Sequence, residues 1–66
     1  MQHIKVTSSN ITSVAHKGSV LHVRFKNGGL YEYQGISKDD FNDLVNAESV
    51  GRHLNQMGIK GKKVTE

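Results

Sequence analysis

The chain has no cysteine. A disulfide framework is therefore excluded, and so is any zinc site built on thiolates. No apolar run approaches the roughly 20 residues of a membrane-spanning helix, and no signal peptide is visible. A soluble, cytoplasmic protein is the expectation, in a bacterial host's cytoplasm if the chain is phage-encoded. No glycine-rich phosphate loop opens a helix, and the basic residues are too few and too terminal for a DNA-reading helix in the major groove. Of the four histidines, His16 and His22 can approach one another across a first hairpin, but they lack a third metal ligand. Asp39, Asp40 and Asp43 fall on a helix-capping turn, where the helix dipole accounts for them. Neither an enzyme, a metal site nor a cofactor is expected.

What is present is a single domain of 66 residues, near the lower limit for folding alone. A chain this short buries only about 60% of its unfolded surface. Without disulfides or metal, a homo-oligomer is the expected source of further buried area. The formal charge of +3 is unevenly placed along the sequence. Met1 to Ser49 holds five cations and five acids, whereas Val50 onward holds Arg52, Lys60, Lys62 and Lys63 against Glu66. A basic end on a neutral body suits an anionic partner, or it simply keeps the chain in solution.

The segment Val20–Gln34 organises the rest. Leu21, Val23 and Phe25 alternate with His22, Arg24 and Lys26, as in a half-buried strand. Asn27-Gly28-Gly29 can turn tightly, and Leu30-Tyr31-Glu32-Tyr33 returns. A two-residue turn would set the tyrosines on the polar side, opposite Arg24 and His22. A three-residue loop closing through a left-handed glycine sets Tyr31 opposite Phe25, Tyr33 opposite Val23 and Arg24 opposite Glu32. The second register is preferred because it gathers four large apolar groups on one face.

Before this hairpin, Ile11–His16 reads as a strand. The spacing of three between Ile11 and Val14 implies a bulge or a short strand. A Lys17-Gly18 turn would put Val14 across from Leu21 and Thr12 across from Val23. After the hairpin the apolar period changes to that of a helix. Ser37 and Asp40 form a capping-box pattern, Ile36 and Phe41 a hydrophobic staple, and Phe41, Leu44 and Val45 a covering stripe. Ser49 then caps a second helix with Val50, Leu54 and Met57 on one face and Gly58 as its stop. The fold class is α+β: a three-stranded antiparallel meander followed by two short helices. The core spans 7–62, and 63–66 form a flexible basic tail.

Ser8-Ser9-Asn10-Ile11, Leu21 to Phe25, Gly28-Gly29-Leu30-Tyr31-Glu32-Tyr33 and Ser49-x-Gly51 through Asn55 fall in the order of the KTSC domain family. The chain resembles that family, whose central mark is Tyr-x-Tyr, from about Ser8 to Lys62. It departs from the pattern where the family carries aromatics near His53 and near Lys63-Val64, which removes aromatic support from the family's tail contact. The family is named for the C-terminus of some lysyl-tRNA synthetases, and the resemblance implies RNA binding. For a free copy of phage or bacterial origin, size and context add an anti-defence role. Such an anti-CBASS sponge captures the cyclic oligonucleotides used as immune signals.

The candidate ligand-binding residues are Tyr31, Tyr33, Arg52, His53, Asn55, Lys60, Lys62 and Arg24. The tyrosines either fill the core with hydroxyls at its rim or stack on bases. Arg52 can grip a phosphate by two parallel bonds, or it is merely solvated, and His53 stands beside it at the start of the second helix. The Asn55 amide can read a base edge or cap a turn, and the lysines add salt-sensitive attraction. The expected function is non-enzymatic binding of a nucleotide-type ligand, with cyclic-oligonucleotide sequestration in a homo-oligomer as the specific form. An RNA-binding accessory module and a protein–protein adaptor are the alternatives.

Overall fold

Two alternating segments joined by a glycine turn make the central hairpin, and the sheet grows outward from it on both sides. A computed structural model of the chain describes residues 2–65. Met1 and Glu66, the ends of the expected domain and tail, lie outside the described residues. The elements in order are β1 (Ile4–Lys5), β2 (Ile11–Lys17), β3 (Val20–Phe25), β4 (Leu30–Gln34), α1 (Lys38–Val45), α2 (Val50–Gln56) and β5 (Lys62–Lys63). The strands form one antiparallel sheet in sequence order, β1-β2-β3-β4-β5. The α+β class and the meander-then-helices order match expectation, but the sheet has five strands rather than three. A two-residue strand has no alternation to read, so β1 and β5 leave no periodic trace in the sequence.

The β3–β4 loop is three residues closing through a left-handed glycine, as preferred, yet it begins one residue earlier than expected. Phe25 N–H donates to the Gly29 carbonyl at 2.8 Å, and Gly28 N–H donates to the Phe25 carbonyl at 2.9 Å. Gly28, with φ of 95°, takes the left-handed position. Asn27 Oδ1 accepts from Gly29 N–H at 2.9 Å and stiffens the turn. The earlier loop moves each pairing by two residues. Tyr31 stands opposite Val23, Tyr33 opposite Leu21, and Glu32 opposite His22 rather than Arg24. A shift of two keeps every side chain on its expected face, so the tyrosines do join the apolar side.

The first hairpin is corrected in the same manner. Lys17 pairs with Val20, so the turn is Gly18-Ser19, and Val14 lies opposite Val23 instead of Leu21. The register shifts between Ile11 and Ser13. That bulge resolves the odd spacing of three, because it returns both Ile11 and Val14 to the buried face, each fully covered.

Both helix starts follow their local chemistry. Ser37 accepts from Asp40 N–H at 3.0 Å, and the Asp40 carboxylate accepts from Ser37 N–H, closing the capping box. Ser49 caps α2 by accepting from Arg52 N–H. Phe41 and Leu44 of α1, and Val50 and Leu54 of α2, press onto one face of the sheet, where Ile11, Val14, Leu21, Val23 and Tyr33 complete the core with Ile36. His16 joins that layer by stacking on Phe41, centroids 5.0 Å apart, while its Nε2 donates to the Ile36 carbonyl at 2.7 Å. The helices cover one face of the sheet and leave the other open.

Candidate ligand-binding surface

The eight sequence-predicted residues do not converge. Arg52 and His53 share an open groove of about 500 Å³ at the α1–α2 corner with Ala47, Glu48, Ser49 and Gln56. Neither tyrosine lines it. Tyr33 is a core residue, 8% exposed. Tyr31 is half-buried at the edge of the same layer, its ring edge-on to Phe25 at 5.4 Å. Asn55 is exposed on α2, and Lys60 is exposed in the segment that follows it. Lys62 lies in β5 opposite Glu32, with Lys63 opposite Tyr31. Lys63 therefore belongs to the sheet, although the sequence assigns it to the tail, and Val64 N–H extends the contact to the Leu30 carbonyl at 2.8 Å. Backbone hydrogen bonds dock this segment without the missing aromatics.

Arg24 and Lys62 are the two predicted residues that do share a surface, the open face of the sheet. Side chains directly opposite one another in antiparallel strands project to the same side. One row across that face is Lys5, Ser13, Arg24 and Leu30; the next is Ala15, His22, Glu32 and Lys62; the third is Lys17, Val20 and Gln34. Among the described residues of the paired strands, four cations, Lys5, Lys17, Arg24 and Lys62, thus share the face with one acid, Glu32. Arg24 donates from Nη1 to the Gly28 carbonyl at 2.8 Å, which ties its guanidinium to the β3–β4 loop. His3 Nδ1 hydrogen-bonds Ser13 Oγ at 2.9 Å, and buried Ser13 and Ala15 form a shallow floor.

Glu32 is the electrostatic centre of this face. His22 Nε2 donates to its Oε1 at 3.0 Å, and Gln34 donates to Oε2 at 3.4 Å. The hydrogen bond from His22, with help from Gln34 and attraction to Lys62, holds the carboxyl below its usual range. On the other face, burial pushes the Tyr33 phenol above its ordinary value, as a core role requires. Lys5, Lys17 and His3 are not among the ligand candidates read from the sequence, and His22 enters there only as half of a metal pair with His16. The alternation of Leu21 and Val23 carried a usable signal for His22, since it places His22 beside Arg24. Lys5 needed the pairing of β1, which no pattern announces.

The model of the KTSC domain matches residues 7–62. The chain belongs to the KTSC domain family. It is 32% identical over 59 residues to an uncharacterised protein of Stutzerimonas stutzeri (strain A1501), covering 86% of this chain and 83% of that one. The crystal structure of the KTSC domain protein YPO2434 from Yersinia pestis superimposes with a TM-score of 0.85 at 25% identity, covering 97% of each chain.

The residues that carry the KTSC resemblance meet in three packing contacts. A Cβ on Gly51 would come within 2.8 Å of Asn10 Oδ1 and 3.5 Å of Ser8 Oγ, so α2 lies against the Ser8-Ser9-Asn10 turn. A Cβ on Gly61 would stand 2.6 Å from the Tyr33 ring, so the approach to β5 passes directly over that ring. A Cβ on Gly29 would touch the Tyr31 ring at 3.3 Å. In this KTSC domain Tyr-x-Tyr therefore acts as a packing device, and its two rings anchor the glycine-bearing segments on either side. Among the described residues, no group of three or more potential ligands is placed to hold a metal ion, and no helix is long and apolar enough to cross a membrane.

Proposed function

We propose that this KTSC domain is a non-enzymatic binding module for a phosphorylated nucleotide ligand. One observation carries the reading: the folded chain separates its charges. Among the described residues, the open face of the sheet bears Lys5, Lys17, Arg24 and Lys62 against Glu32, while Asp39, Asp40, Asp43 and Glu48 stand on or beside α1. A surface with one sign of charge in excess attracts anions and speeds their capture. The exposed His3 and half-buried His22 on that face offer flat rings for a base, the part that Tyr33, sealed in the core, does not play.

The compact form of such a ligand is a cyclic oligonucleotide, which an anti-CBASS sponge would sequester, and a homo-oligomer would supply the walls it needs. The groove of Arg52 and His53 is the concave seat for it. The extended form is RNA, and the arrangement of cations favours that form. The reading is tested by calorimetry with cyclic dinucleotides, cyclic trinucleotides and single-stranded RNA. Binding of at least one of these, with the ligand recovered intact after denaturation, is the expected result. Recovery of cleaved ligand would make the domain an enzyme, and no binding to any of them would leave the adaptor reading in its place.

A further inference from the structure

We infer that the ligand of the open sheet face is single-stranded RNA, laid across the β-strands along the line Lys5–Arg24–Lys62. The inference rests on the nucleotide-binding reading above and specifies its ligand and its path.

The register sets the spacing. Lys5 and Arg24 share one row, two strands apart, because both lie opposite Ser13 on its two sides. At about 4.8 Å between strands, their backbones are roughly 10 Å apart. Lys62 lies two strands beyond Arg24 and in the row of Glu32, two residues along the strand from the row of Leu30. That displacement makes the second step roughly 12 Å. Three cations therefore run diagonally from one edge of the sheet to the other over roughly 20 Å. A small cyclic ligand needs donors gathered around it, and these are spaced from one sheet edge to the other. A chain with a phosphate at every unit can meet each of them in turn.

The shape of the face selects a single strand. Its floor is shallow, with Ala15 fully buried and Ser13 8% exposed, and no helix projects from it to enter a duplex groove. Single-stranded RNA is recognised by stacking on aromatic, histidine or arginine planes and by contacts to its 2′-hydroxyl. His3, His22 and Arg24 supply the planes. Glu32 sits beside the line and repels phosphate. A carboxylate offers about four acceptor sites, so with His22 and Gln34 already donating it can still accept from a hydroxyl or an exocyclic amine. An acceptor in that position favours RNA over DNA.

The test is fluorescence anisotropy of end-labelled single-stranded RNAs of increasing length, the matching DNA, an RNA duplex and a cyclic dinucleotide, each across a salt series. RNA is expected to bind tighter than DNA and duplex, with affinity rising with length until the line is spanned. For three phosphates met, the log–log salt slope should be about −2. Lys5→Gln and Lys62→Gln should each weaken binding several-fold and flatten that slope by about 0.7. Arg24→Gln should weaken it further, and its melting temperature separates lost binding from lost folding. Lys38→Gln, on the helix side, is the control and should change little.

Several outcomes would overturn the inference while leaving the nucleotide reading intact. Among them are tight binding of the cyclic dinucleotide with no gain from longer RNA, and equal affinity for RNA and DNA. Loss of binding in Arg52→Ala but not in the double variant Lys5→Gln/Lys62→Gln would do the same. No binding of any nucleic acid or nucleotide would end both.

Discussion

The two sides of this sheet are built from the same modest stock of charged residues and put them to opposite uses. On the helix side, acids cluster at Asp39, Asp40 and Asp43, and the first two stabilise the start of α1 by facing its positive end. Beneath them lies the main apolar cluster. On the open side, cations spread from edge to edge over a shallow floor of Ser13, Ala15 and Leu30, and the face has no helix to cover it. One side holds the fold together through burial. The other has surface charge in excess of anything the fold requires, and that excess is where a ligand is to be sought. Charge gathered on a face that buries no apolar layer is the more informative kind.

The contrast predicts that damage on the two sides will differ in kind. The largest effect should come from Leu44→Ala, which empties a fully buried position of α1 against the sheet. Such truncations cost about 2–5 kcal/mol. A domain of this size holds only about 3–10 kcal/mol in total, so the variant should be largely unfolded at 37 °C by circular dichroism. Lys5→Gln and Lys62→Gln should each change the unfolding free energy measured in urea by no more than about 0.5 kcal/mol, while affecting RNA binding. A Leu44→Ala protein as stable as its parent would dissolve the distinction.

Next in size is Gly61→Ala. Its new methyl would stand 2.6 Å from the Tyr33 ring, and either that ring or β5 must yield. Overpacking of this sort costs about 1–3 kcal/mol. The specific readout is hydrogen exchange at the Val64 amide, which donates to the Leu30 carbonyl. Faster exchange there, with the β2–β3 amides still protected, would locate the damage at the edge. Smaller again is Ser37→Ala, which removes the cap of α1 and should cost about 1 kcal/mol in chemical denaturation.

How far these features were legible from the sequence follows from the range of the forces that fix them. The capping box at Ser37 and Asp40, the stripe of Phe41 and Leu44, and the alternation of Leu21 and Val23 are set by neighbours a few residues away, and all could be read. The turns were placed one residue off at both hairpins, because Lys17-Gly18 and Gly18-Ser19 are each acceptable turns and only the sheet as a whole chooses between them. Charge was the larger loss. Summing along the chain makes the first 49 residues neutral, yet three of the five acids there sit on α1 and the cations of β1 to β3 stand across the sheet from them. Sequence order concealed a separation that the fold creates. Tyr31 and Tyr33 were open to two readings for a related reason, since the deciding contact comes from Gly61, 28 positions beyond Tyr33 in the chain.

The smallest expected effect concerns Glu32 on the open face, and it cuts across the contrast. Glu32 has its carboxyl held below the usual range by the hydrogen bond from His22, with Gln34 and Lys62 assisting. A depressed folded-state value means that the stabilisation is present above the unfolded value near 4.5 and is lost as pH falls through the lower folded value. Glu32→Gln should therefore lower the urea midpoint slightly at neutral pH, and the two proteins should converge in acid. A difference that persists unchanged at low pH would assign the loss to packing instead. The same substitution removes a negative charge from the path Lys5–Arg24–Lys62, so binding of both RNA and DNA should tighten. If Glu32 accepts from the 2′-hydroxyl, RNA should gain less than DNA, and the gap between the two should narrow. A stabilising acid that weakens capture in exchange for discrimination would explain why one remains on a face otherwise given to cations.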